Sequence, residues 1–101
     1  MKSKTKFLVS IKKDIDNGKY DGFLNIPFIS RNLIYSCFKN IINEKMKNNK
    51  APVLNEEEIN IGLNDAKQTA AETFDSFLKK GIIIKDGDEY KVSETYINIL
   101  K

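Results

Sequence analysis

A chain of 101 residues, 41% hydrophobic and 31% charged with five Gly and two Pro, has the makeup of one ordinary globular domain and not of a disordered or fibrous one. It contains no His, the commonest general base and transition-metal ligand, and one Cys, so triad, zinc and disulfide chemistry all lose their usual parts. Its net charge of +3 is unevenly spread: residues 1–19 and 31–50 each carry +4, whereas 51–80 carry −3 and 81–101 carry −1.

The first predicted element is an amphipathic helix over about 4–17, with Phe7, Leu8, Ile11 and Ile15 on one stripe and Gly18 as its stop. The following stretch, KYDGFLNIPFI, contains Gly22 and Pro27 and reads as a connector or short strand. Ser30 is a good N-cap for a second helix carrying Leu33, Ile34, Cys37, Ile41 and Ile42, expected to be the longest, which runs to KNNK and the Ala51-Pro52 break. Cys37, at helical spacing from Leu33, Phe38 and Ile41, reads as a buried small hydrophobe and not a nucleophile.

Asn55 with Glu58 three residues on has the pattern of a capping box and opens a short helix carrying Ile59 and Leu63. That helix is expected to stop at Gly62 to Asp65, where Asn64 and Asp65 turn the chain and cap the next helix, Ala66 to Lys80. The second helix of the pair places Ala66, Ala70, Phe74, Phe77 and Leu78 inward and ends at Gly81. A β-hairpin over about 82–92 follows, from the β-branched Ile82 to Ile84, the turn signal Asp86-Gly87-Asp88, and Tyr90 to Val92. Ser93 caps a final short helix over about 94–100.

A helix-turn-helix at about 55–80 with a hairpin directly after it is the winged helix-turn-helix arrangement, so the expected fold is mainly α with a β-hairpin wing, one domain over 1–101. The expected function is sequence-specific binding of double-stranded DNA, without catalysis. Groove residues would come from the second motif helix: Asn64, Lys67, Gln68, Thr69, Ala71 and Glu72, with Lys85 and Lys91 flanking the wing turn. Lys67 suits phosphate or guanine, Gln68 adenine, and Ala71 a thymine methyl. Glu72 and Asp75 oppose phosphate, and Asp86, Asp88 and Glu89 make the wing tip acidic, so the basic N-terminal half or a second copy in a homodimer is expected to supply much of the attraction. A plain solvated surface fits the N-terminal lysines equally well.

No cofactor, catalytic or metal-binding set is expected: no GxGxxG, P-loop or nucleophile elbow occurs, and Glu56 to Glu58 sit where a helix N-terminus favours anions. No apolar run approaches the roughly 18 residues of a membrane span, and Met1 to Lys6 is not followed by a signal-peptide core, which gives the expectation of a cytoplasmic protein with no membrane partner.

Within VLNEEEINIGLNDAKQTAAETFDSFLKKGIIIKDGDEYKVSE, the combination of Leu54-Asn55, Lys67, Thr69, Ser76-Phe77 and Gly81-Ile82 resembles the TubR group of centromere-binding adaptors in tubulin-like plasmid and phage segregation systems. The resemblance covers most of the chain. It implies a dimer that binds repeated DNA sites side by side, couples them to the filament-forming GTPase TubZ, and recognises DNA through the helix bearing Lys67 and Thr69. The acidic wing departs from a wing that grips phosphate. Two other functions are compatible with the same fold: a transcriptional repressor occupying one or two operators, and a winged helix that binds only protein, such as a phage-encoded inhibitor.

Overall fold

Residues 4–94 are described by the computed structural model. The first helix, α1 (Lys4–Asp16), buries Leu8, Ile11 and Ile15, as its stripe predicts, and the chain leaves it through Gly18 at φ +92. The connector forms one 3-10 turn at Asp21–Phe23 and no strand, held by successive N–H to C=O bonds from Phe23 to Tyr20 and from Leu24 to Asp21. Gly22 and Pro27 leave too few regular residues here for a strand.

The second helix, α2 (Arg31–Lys47), starts where Ser30 Oγ accepts the Leu33 N–H at 3.1 Å. It buries Ile34, Cys37, Phe38 and Ile42. Cys37 is thus a core residue, and burial, with Asp65 nearby, pushes its thiol pKa up, away from nucleophilic character. Asn48 and Asn49 end the helix, Asn49 in the left-handed region at φ +58.

The third helix, α3 (Glu56–Lys79), corrects the sequence expectation. It is one uninterrupted helix of 24 residues, longer than α2, so the tight turn expected at Gly62 to Asp65 does not exist. Two causes are visible. Ile59, Leu63, Ala66 and Ala70 continue a single stripe at spacings of four, three and four, so packing rewards continuity through the glycine. Gly62 is also not a breaker: it lies in the helix against Phe38 and Ile41, where a larger residue has no room. The turn that separates two packed helices lies instead between α2 and α3.

Asn55 and Glu58 form the capping box: Asn55 Oδ1 accepts the Glu58 N–H at 2.8 Å, and Glu58 Oε1 accepts the Asn55 N–H at 3.0 Å. At the far end the Gly81 N–H reaches Leu78 O and the Ile82 N–H reaches Phe77 O, the paired bonds of a Schellman motif, with Gly81 at φ +74. Strands β1 (Ile83–Asp86) and β2 (Glu89–Val92) pair antiparallel with Ile83 opposite Val92 and Asp86 opposite Glu89. Gly87, at φ +66, takes the first of two loop positions, the glycine-first pattern of a type II′ hairpin.

Over the described residues the protein is therefore mainly helical, three helices followed by a two-stranded hairpin, in a winged-helix-like layout. Helix α2 packs against both α1 and α3, and its fully buried Ile34, Phe38 and Ile42 centre the core with Ile15 of α1. The final helix expected over 94–100 lies outside the described residues, apart from Glu94. No helix among the described residues is long and apolar enough to cross a membrane.

Candidate nucleic-acid interface

Asn64, Lys67, Gln68, Thr69, Ala71 and Glu72 are all exposed along the middle of α3. They do not form one patch. At roughly 100° per residue, Asn64, Gln68 and Ala71 share the outward sector opposite Ala66 and Ala70, while Lys67 and Thr69 fall on opposite flanks. Lys67 is turned toward the connector, its Nζ 4.9 Å from the centre of the Phe23 ring. Gln68 donates to Glu72 one turn on, at 3.2 Å, so its amide is engaged within the helix. Thr69 lends its carbonyl to Thr73 Oγ1.

Electrostatically, α3 is a poor partner for phosphate. It carries six acidic residues against Lys67 and Lys79, and Glu57, Glu72 and Asp75 lie in or beside the outward sector. The hairpin adds to this. Lys85 and Lys91 occupy adjacent rungs, opposite Tyr90 and Ile84, and so project to opposite faces of the hairpin. Lys91 Nζ is already bound to Asp86 Oδ2 at 2.8 Å, and Asp88 and Glu89 remain at the tip.

Phe74 and Phe77, expected as core anchors, are only half-buried. They form a separate aromatic cluster that ties α3 to the connector and hairpin: Phe28 meets Phe77 edge-on at 5.1 Å, and Phe74 meets Tyr90 at 4.9 Å. Phe28 holds φ +69, a left-handed conformation costly for a bulky side chain. Ile26, Pro27, Ala71, Phe74 and Tyr90 line a shallow apolar cleft beside this cluster.

The positive charge sits elsewhere. Helix α1 carries four lysines against Asp14 and Asp16, and α2 four basic residues against Glu44. Some of these are structural. Arg31 forms a two-pronged bond to Asp21, at 3.0 and 2.5 Å, that clamps the connector to α2 and holds the Asp21 carboxyl below its ordinary range. Lys45 joins Glu58 Oε1 at 2.8 Å and Val53 O, pinning α2 to the start of α3. Lys13, Lys39 and Lys47 are exposed and pair with no acid among the described residues. Lys12 rests over the Tyr35 ring at 5.4 Å, which brings the exposed sides of α1 and α2 together. The segment charges locate this region, but which of its lysines face outward depends on the packing of α1 on α2, which local sequence does not carry.

Among the described residues no cluster of His, Cys, Asp and Glu is arranged to hold a metal ion. No family model, no curated protein and no solved structure matches the chain.

Proposed function

We propose that this protein is a non-enzymatic, duplex-DNA-binding adaptor that acts as a homodimer in DNA segregation. The observation that carries this reading is the sorting of charge by element within a winged-helix-like layout: α1 and α2 positive, α3 and the hairpin negative. A polyanion is drawn to one side only, and each phosphate neutralised by a lysine releases condensed counterions. The acidic side, with its apolar cleft beside Tyr90, is left for protein contacts: the second copy, and the tubulin-like GTPase that the TubR resemblance implies.

Mobility shifts with a labelled duplex several helical turns long, followed across a salt series, test the binding. Footprinting then separates the roles. A segregation adaptor protects an array of repeats side by side, whereas a repressor protects one or two operator sites. The acidic hairpin tip favours a second reading, a winged helix that binds protein alone, and that reading requires no shift at any salt concentration.

A further inference from the structure

We infer that the outward face of the α1–α2 pair, and not α3, docks on the phosphate backbone; this rests on the proposal that the chain binds duplex DNA and locates the contact. Helix α2 turns Ile34, Phe38 and Ile42 inward, and on the opposite side Asn32, Ser36, Lys39 and Lys47 are exposed. At 100° per residue these four fall within a sector about 80° wide. No acid of α2 shares it: Glu44, the one acid of that helix, projects about 100° from its centre.

Lys39 and Lys47 stand eight residues apart, about 12 Å at 1.5 Å per residue, which is comparable to the width of the major groove, about 12 Å. Two cations at that spacing reach phosphates on the two edges of one groove. Asn32 and Ser36 continue the row with neutral donors. Lys12 adds a third cation from α1, held beside the row by the Tyr35 ring, which orients the ammonium without neutralising it.

The same unopposed charge is missing from α3. Its outward sector lines up Glu57 and Asp75 with Gln68 and Lys79, so acids share the face with its one outward lysine, while Lys67 is drawn aside by Phe23 and Gln68 is bonded to Glu72. A helix in that state repels the backbone it would have to approach.

Two double variants separate the faces: Lys39→Ala with Lys47→Ala, and Lys67→Ala with Gln68→Ala. All four side chains are exposed, so melting temperatures near that of the parent confirm that both variants fold. Fluorescence anisotropy with a labelled duplex is measured for the parent and both variants at several NaCl concentrations. The first variant is expected to bind every duplex at least tenfold more weakly at low salt. Its log K against log salt slope should be shallower by about 1.8, two phosphate contacts at about 0.9 each. Lys39→Arg with Lys47→Arg should restore the slope, and the Lys67 and Gln68 variant should keep it. An unchanged slope in the first variant, or a larger loss in the second, overturns the inference while DNA binding stands. Absence of parent binding at low salt overturns both.

Discussion

Gly62 of α3 faces the Phe38 ring of α2 so closely that a Cβ on Gly62 would lie 2.5 Å from Phe38 Cδ1 and 2.7 Å from Cε1. This contact is why a glycine stands in the middle of a 24-residue helix. In open solvent Gly62→Ala would stabilise the helix by about 1 kcal/mol through propensity. Here overpacking outweighs that gain, and a net destabilisation of about 1–2 kcal/mol is expected from chemical denaturation. Adding Phe38→Leu to Gly62→Ala makes room for the methyl, so the double variant should lose less stability than the two single losses together.

The start of α3 gives the protein a pH dependence. Glu58 carries a carboxyl pKa below its ordinary value of 4.5, first because it accepts the Asn55 N–H and then because Lys45 donates to it. A carboxylate lowered in the folded state stabilises fully above its unfolded pKa, and that contribution is lost as pH falls through the folded value. Thermal melts between about pH 6 and pH 3 should show stability falling at the acid end, less steeply in Glu58→Gln than in the parent. Asn55→Ala removes the other half of the capping box and should cost about 1 kcal/mol at neutral pH.

Phe28 combines an unfavourable backbone with useful aromatic contacts. Both Phe28→Ala and Phe28→Gly lose the edge-on contact with Phe77 and should be less stable than the parent. Only Gly relieves the left-handed strain at φ +69. Phe28→Gly should therefore be more stable than Phe28→Ala by about 1 kcal/mol, the reverse of the usual order outside turns. Equal denaturation midpoints for the two variants would mean that the residue is not held in that conformation.

Reversing charge at the hairpin tip tests whether the wing touches DNA. Asp88→Lys with Glu89→Lys places two new cations at the turn, on residues exposed to solvent. With the phosphates against α1 and α2, the salt slope of binding should change by less than about 1. A slope steeper by about 1.8 would bring the hairpin into the contact.

Features written in local chemistry were legible in the sequence. The bounds of α1, the Ser30 cap, the Asn55–Glu58 box, Gly81 and the hairpin turn each depend on residues within a few positions of one another, and all appear in the structure. What failed depended on distant partners. Gly62 next to Asn64 and Asp65 reads as a turn until Phe38, 24 positions earlier, is seen against it. Phe74 and Phe77 read as core residues because their spacing extends the Ala66 and Ala70 stripe. The stripe outruns α2, and the connector and hairpin meet them instead. The candidate site was half legible for the same reason. Counting charges by segment located the basic half of the chain, whereas the exposed row of Lys39 and Lys47 beside Lys12 required the packing of α1 on α2.

The most direct test is equilibrium binding of the parent protein to a labelled duplex by anisotropy, from about 50 to 200 mM salt, where counterion release dominates affinity. Saturable binding at the low end that weakens linearly in log K against log salt is the expected result. A flat signal at every concentration, with the protein folded by circular dichroism, would contradict duplex binding and leave protein recognition as the function of this fold.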